Sequence, residues 1–331
     1  MKRMTSLIAC FALAFSLAAH SGEKVTLKLA HHGVAGEIFT IFCDRFAERV
    51  SKETDGVVVI NNFGNGQLGN VNEMLSGVQV GFIDIGLHDH ASLAPFVPEM
   101  AVFNAPYIYK DAISFMKVVD PYASPVMQKL NQRLTKDGGM RVIGNCYRGA
   151  RNISCKFPVY SPADLKGQKM RGVPLPVWTT MINGIGAIPT PMDFAEVPTA
   201  LSTGVIVAQE NPLNNIYTSK VYEVSPYISI TEHMQSAQVI FINENNWQSI
   251  PAERRAVIER ILRELAVESI QWEKDSSAEL IKNLKANGAA IITAADGLKV
   301  EEFRESVLKQ VNKDFPEWRE IIAEIQAMQG L

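Results

Sequence analysis

Residues 25–60 read VTLKLAHHGVAGEIFTIFCDRFAERVSKETDGVVVI. Val25 to Ala30 alternates in the manner of a strand, and from Glu37 to Lys52 apolar residues recur at Ile38, Phe42, Phe46 and Val50, the spacing of one helical face. Val57 to Ile60 is the next apolar β-branched run, so the stretch reads as one β-α-β unit. The order continues with a helix near Asn72 to Val80, a strand from Phe82 to Leu87, helices at Asp111 to Val119 and Pro125 to Thr135, and a strand from Arg141 to Asn145. Alternation of this kind predicts a mostly parallel α/β sheet with helices on its faces.

A second α/β set begins near Gly149. It comprises strand Lys169 to Gly172, helix Val177 to Ile185, strand Ala187 to Thr190, helix Phe194 to Ser202 and strand Val205 to Ala208. From Ala252 to Ala286 there is neither Gly nor Pro, and Val257, Ile261 and Leu265 lead on to Ile270, Leu280, Ile281 and Leu284. A helix of that length measures about 50 Å, more than one domain of this size needs, so it is expected to span two lobes. Helices at Val300 to Asn312 and after Pro316 complete the chain. The 331 residues, 47 % hydrophobic and 20 % charged, suffice for two cores.

Lys2 and Arg3 precede an apolar stretch from Leu7 to Ala19, and Ala19-His20-Ser21 offers small residues at the cleavage-determining positions, the pattern of a secretory signal peptide over residues 1–21. The stretch falls short of the roughly 20 residues of a spanning helix. Lipoprotein processing at Leu7-Ile8-Ala9-Cys10 is the rival reading. Loss of residues 1–21 removes two of the 32 basic residues and none of the 35 acidic ones, which leaves a formal charge of −5. Without a basic footprint, nucleic-acid binding is not expected. Of the three remaining cysteines, Cys43 falls on the first helical stripe as a core residue, while Cys146 and Cys155 would sit on two facing strands where a bridge is open to them.

Ligands of open α/β sheets lie beyond the carboxyl ends of strands. There the chain places His31 and His32, then His88, Asp89 and His90, then Asn211. The clustered histidines raise the question of a metal, but such pairs at strand ends serve more often as hydrogen-bonding groups, and neither a metal nor a cofactor is expected.

Three stretches sharpen the reading: Ser161-Pro162-Ala163-Asp164-Leu165-Lys166-Gly167 leading to Arg171, Ala187-Ile188-Pro189-Thr190-Pro191-Met192 leading to Phe194, and Gln209-Glu210-Asn211-Pro212. With Gly66-Gln67-Leu68-Gly69 and the long helix, they make the chain resemble the solute-binding proteins of tripartite ATP-independent periplasmic (TRAP) transporters, which include C4-dicarboxylate-binding and sialic-acid-binding proteins. The resemblance runs over essentially the whole mature chain. It implies a two-lobe periplasmic binding protein fold with discontinuous lobes, 22–148 plus 237–276 and 149–236 plus 277–331, around a cleft for a small organic acid. Arg171 would pair with the ligand carboxylate, Arg151 would assist it, Asn211 would donate a further bond and Phe194 would cover the carbon skeleton, while Trp178 stands either in the core or at the ligand wall. His32, His88, Asp89 and His90 would face them from the first lobe. A guanidinium fork matches carboxylate oxygens, which fits these roles.

The chain departs from the family pattern at Gly204-Val205-Ile206-Val207-Ala208-Gln209-Glu210-Asn211, which lacks the acidic residue usual before the asparagine, and at Arg171-Gly172-Val173-Pro174. The implied partners are a sugar acid, dicarboxylate or hydroxy or keto acid, and the large and small membrane subunits of a TRAP transporter; the protein is expected to be a periplasmic monomer and no enzyme. The alternatives are a periplasmic metal-dependent enzyme and a binding protein for an ATP-driven importer. The chain has neither the Gly-x-Ser-x-Gly nor the His-Glu-x-x-His pattern.

Overall fold

The computed structural model describes residues 24–331, so the signal-peptide expectation and Cys10 lie outside the described residues. The first unit forms as its periodicity predicts: β1 (Val25–Ala30), α1 (Ile38–Glu53) and β2 (Val58–Phe63), with β1 parallel to β2 from Val25 opposite Val58. α1 buries Phe42, Cys43, Phe46 and Val50. After α2 (Val71–Gln79), β3 (Ile85–His88) joins the other side of β1, so His31 follows one strand and His88 ends its neighbour. Then come α3 (Ala112–Val118), α4 (Pro125–Gly138) and β4 (Met140–Cys155).

β4 runs ten residues beyond the predicted end at Asn145. Residues 146–155 include Gly149 and Asn152, residue types depleted in strands, besides two arginines. They stay extended because the ladder is filled on both sides: β7 (Ala208–Pro212) pairs with residues 151–155, and β8 (Tyr227–Asn243) pairs along the whole strand. Both cysteines therefore sit on one strand, about 30 Å apart at the usual rise per residue. That separation excludes a bridge, and Cys43, Cys146 and Cys155 are buried free thiols.

At the same rise β4 and β8 are each about 50 Å long. One end of the pair carries β3-β1-β2, and the other carries β7, then β5 (Lys169–Gly172) and β6 (Ile188–Pro191), with β9 (Ala290–Ile292) on β8. Two α/β lobes thus share one mixed sheet. The register of β4 on β8 slips between Val142 and Gly144, between Tyr147 and Gly149, and between Arg151 and Ile153, the signature of bulges that bend a strand and add twist. At the middle slip Gly149 has φ +103° and a Cβ there would lie 3.2 Å from Glu273 Cγ, so this position needs glycine on both counts. The Tyr147 amide, next to the slip, donates instead to Ser269 Oγ at 3.0 Å.

The second lobe adds α5 (Pro176–Ile185), α6 (Val197–Thr203) and α7 (Leu213–Thr218). The helix predicted at Phe194 to Ser202 divides into a 3-10 turn and α6, with Pro198 in the first turn of α6, where its missing N–H costs nothing. The strand expected at Val205 to Ala208 is displaced to Ala208–Pro212, where Gln209, Glu210 and Asn211 are buried polar residues with partners. α8 (Glu244–Ser249) leads into α9 (Ala252–Ala286), which has the predicted bounds. Ile258, Ile261, Leu262 and Leu265 of α9 pack into the first-lobe core with Ile143, Ile240 and Ile242, whereas Leu284 packs with Ile216 and Ile228 of the second lobe. The helix consequently spans both lobes. α10 (Val300–Asp314) packs on α5, and α11 (Arg319–Ala327) ends the fold. No helix among the described residues is long and apolar enough to cross a membrane.

Candidate functional site

Arg171 stands near the carboxyl end of β5, with β6 and β7 on either side, and is 3 % exposed. Its Nε donates to the Met192 carbonyl at 3.0 Å, which fixes the plane of the fork, and the Phe194 ring centroid lies 5.6 Å from its Cζ. Among the described residues neither Nη group has a hydrogen-bond partner. Burial lowers this guanidinium to about 10, with Glu210 acting the other way, so it remains a cation at neutral pH. Phe194 is half-buried, with Met192 beside a small cluster around Leu201 and Ile206. Asn211 lies opposite Asn152 on β4 and donates its Nδ2 to Gln209 Oε1 at 2.7 Å.

Arg151 is used differently from what the sequence suggested, and Trp178 takes the core position of its two expected ones. Arg151 is wholly buried and grips Glu210 with Nε and Nη2, the latter 2.6 Å from Oε1 and 3.0 Å from the Glu210 carbonyl. Trp178 donates Nε1 to the same carboxylate at 3.0 Å, and His233 Nε2 approaches it at 3.1 Å. Burial alone would raise the Glu210 carboxyl, but Arg151 and His233 hold it at about 2. Only Nη1 of Arg151 is without a partner, and Trp178 has no exposed surface, so it is a core residue with a satisfied N–H. The reason is Glu210: a carboxylate on the strand neighbouring β4 and β5 draws in every donor within reach. Neither His233 nor the role of Glu210 was singled out in the sequence, since residues 210 and 233 meet only through the pairing of β4 with both β7 and β8.

The first lobe contributes the segments after β1 and β3. His31 is buried and accepts from the Gly33 amide at its Nδ1, 3.0 Å away. His32 and His88 meet edge to face with centroids 5.8 Å apart. Neither ring nitrogen of His32 has a hydrogen-bond partner, nor does Nδ1 of His88 or Oδ1 of Asp89. Burial lowers His31 and His88 to about 4, leaving neutral imidazoles at physiological pH. Asp89 is buried; burial would raise its carboxyl, but Arg148, with Nη2 at 3.6 Å, keeps it below the usual range. His90 departs from the expectation. It is enclosed beside Phe103 and Phe115 with Nε2 2.8 Å from Asn145 Oδ1, and so belongs to the core. A one-residue step beyond Asp89 enters a 3-10 turn, which carries this side chain inward.

Arg148 is a residue the sequence reading missed. It sits at the middle slip of β4, donates Nε to Ser236 Oγ at 2.9 Å and lies over the Phe39 ring, centroid 5.7 Å from its Cζ. The signal available was Arg148-Gly149-Ala150-Arg151, two arginines about a glycine. The fields of the two lobes meet here: Arg171 acts on His88 and Asp193 on His32. The lobes also touch directly where Asn214 Oδ1 accepts from the Ile38 amide at 3.1 Å and Asn215 donates to Glu37. A groove of about 580 Å³ runs along α3 and α9 beside Tyr122, Asn145 and Leu262. Among the described residues no three His, Cys, Asp or Glu side chains are grouped to hold a metal ion.

Two lobes hinged on long shared strands, with polar side chains from both converging on one cleft, define a binding protein that encloses a small solute. Residues 29–315 match the family described as DctP, bacterial extracellular solute-binding protein, family 7, and the chain belongs to that family. It is 31 % identical over 319 residues to a solute-binding protein of Roseobacter denitrificans, covering 94 % of this chain and 96 % of that one. It is 28 % identical to the 2,3-diketo-L-gulonate-binding periplasmic protein YiaO of Escherichia coli, covering 87 % and 88 %. Among solved structures, a TRAP periplasmic solute-binding protein of Roseobacter denitrificans with bound L-galactonate superposes with TM-score 0.83 at 28 % identity, covering 92 % of this chain and 99 % of that one. One from Ochrobacterium anthropi with bound L-fuconate gives 0.85 at 26 %, covering 92 % and 99 %. The chain is therefore a TRAP solute-binding protein of the periplasm and not an enzyme.

Proposed function

We propose that the cleft captures a small organic acid by its carboxylate, with Arg171 as the anchor, and that the closed complex delivers it to the large and small membrane subunits of a TRAP transporter. The observation that carries this reading is a buried guanidinium whose Nε is tied to a carbonyl while both Nη groups lack a partner. Such a fork is oriented in advance for two parallel bonds to a carboxylate. Phe194 offers its ring beside the bound carbon skeleton, and Asn211 lies one strand away from Arg171. The acids bound in the related structures, L-galactonate and L-fuconate, support the ligand class.

The lobes are 22–148 plus 237–276 and 149–236 plus 277–331, with the slip between Tyr147 and Gly149, opposite Ala237 and Ser236, as a bending point. The protein is a monomer secreted by a cleavable signal peptide over residues 1–21.

Arg171→Ala tests the anchor. In calorimetric titration with the best-binding acid of an organic-acid panel, affinity should fall by about 3–5 kcal/mol, the cost of leaving a buried charge without its partner. Arg171→Lys should also lose most of the binding, because an ammonium cannot form the two parallel bonds. Wild-type affinity in Arg171→Ala would refute the assignment.

A further inference from the structure

We propose that Asn214 and Asn215 of the second lobe form a latch on residues 36–38 of the first, and that this latch, without touching the solute, sets how long the closed cleft holds it. The inference rests on the closing of two lobes about a solute, and not on Arg171 as the anchor.

The start of α1 is incomplete within its own lobe. Glu37 stands at the N-cap position, where its side chain makes no capping bond. The first amides of a helix have no partner inside it and need an acceptor from elsewhere. Ile38, the first residue of α1, finds its acceptor 176 residues away in Asn214 Oδ1, at 3.1 Å. The same side chain turns its Nδ2 to the Gly36 carbonyl at 3.4 Å. Asn215 donates its Nδ2 to one oxygen of Glu37, while the other oxygen accepts from the Val34 amide at 3.2 Å. Gly36 has φ +88°, and a Cβ there would lie 3.5 Å from Thr218 Cγ2, so the turn rests against α7. Two consecutive asparagines thus clasp three consecutive residues of the opposite lobe.

The position of the clasp ties it to the cleft. Residues 36–38 lie shortly beyond the carboxyl end of β1 and His32, and Asn214 and Asn215 follow β7 and Asn211 directly. Each half is therefore connected by a few residues to a strand end that faces the solute, yet neither half is among the groups assigned to hold it. Glu37 and Asn215 are buried in this contact. Burial raises Glu37 to about 7 against the pull of Arg148, so at pH 8 a carboxylate accepts from Asn215, the stronger class of hydrogen bond. Bonds present when the lobes meet and absent when they part bias the equilibrium by that difference alone. They hold the closed complex together and slow escape of the solute, while entry depends on the open form.

The experiment compares the purified wild type with Asn214→Ala/Asn215→Ala at pH 8. Stopped-flow kinetics with L-galactonate give association and release. Spin labels at Lys136→Cys and Ser202→Cys, exposed positions on the first and second lobes, give the interlobe distances. The double variant should release L-galactonate at least tenfold faster, a change of about 1.4 kcal/mol or more, with association unchanged and fewer closed molecules at saturation. Glu37→Gln keeps an acceptor without the charge and should release at an intermediate rate. If thermal melting shows that the double variant does not fold, Asn215→Ala, which keeps the bond to Ile38, is read in its place. Unchanged release with unchanged distances would overturn the proposal, and so would a loss of affinity carried by slower association. Arg171→Ala should abolish binding and leave the ligand-free distances as in the wild type, so failure of the anchor and failure of the latch are told apart. Should L-galactonate not bind the wild type, the ligand-free distances decide: a closed population lost in the double variant supports the latch, and identical distributions overturn it.

Discussion

Replacing Glu210 by glutamine would leave the Arg151 guanidinium buried without its counter-charge. The carboxylate now accepts from two Arg151 nitrogens, from Trp178 Nε1 and, at 3.1 Å, faces His233 Nε2. Glutamine offers one oxygen to these donors and turns an amide toward the rest. Removing one member of a buried ion pair costs about 3–5 kcal/mol, and the residual amide oxygen places the expected loss at the lower end. Arg151→Met exposes the complementary fault. Burial then acts unopposed by the arginine, so the Glu210 carboxyl should rise from about 2 and the cost should shrink as pH falls and it takes up a proton. In the double variant neither uncompensated charge remains, and the two losses should fail to add by at least about 1 kcal/mol. Urea unfolding of the ligand-free proteins at pH 7.5 and 5, read by far-UV circular dichroism, measures all three. Single losses below about 1 kcal/mol, or losses that add within about 0.5 kcal/mol, would refute the view that this cluster is a tightly coupled buried unit.

Three further outcomes are expected. His31, His88 and His90 titrate at about 4 in the folded chain, chiefly through burial, against 6.5 for a free imidazole, so the unfolded state binds more protons in that window and stability is lost as pH falls through it. Glu37 opposes them, since burial raises it from 4.5 to about 7 and its contribution is lost as pH rises through that range. His32, lowered by burial, and Glu232, raised by it, add one group to each side, so the histidines prevail with a net loss on the order of 2 kcal/mol per pH unit near pH 5.5, and an unfolding midpoint in urea that does not move between pH 6.5 and 5 would contradict it. Gly149→Ala should destabilise by about 1–3 kcal/mol, because the residue has φ +103° and faces Glu273; a melting temperature equal to wild type would mean the bend in β4 is not held as described. Thiol titration of the protein lacking residues 1–21 should find no reactive group in the native state and three after unfolding without reductant, whereas a single thiol would indicate a disulfide.

Periodicity determined much by itself. The β-α-β start, the strand at Lys169–Gly172 and both ends of α9 were legible because a buried face imposes its spacing on a continuous segment. Arg171 was legible because a short motif places it at a strand end. What the sequence left undetermined are the features made by residues far apart in the chain. The second half of β4 has weak local preference and exists because β7 and β8 fill its ladder, which also puts Cys146 and Cys155 out of each other's reach. The same pairing gathers residues 151, 178, 210 and 233 around one carboxylate, so that Arg151 binds Glu210 and Trp178 joins the core. Arg148 enters the cleft at a register slip that no local pattern announces, and His90 leaves it through a 3-10 turn. A side chain's residue type is local, but which partner satisfies it depends on distances set by the assembled sheet. That is why the strand-end position of Arg171 could be read from the sequence while the partners of its neighbours had to wait for the tertiary structure.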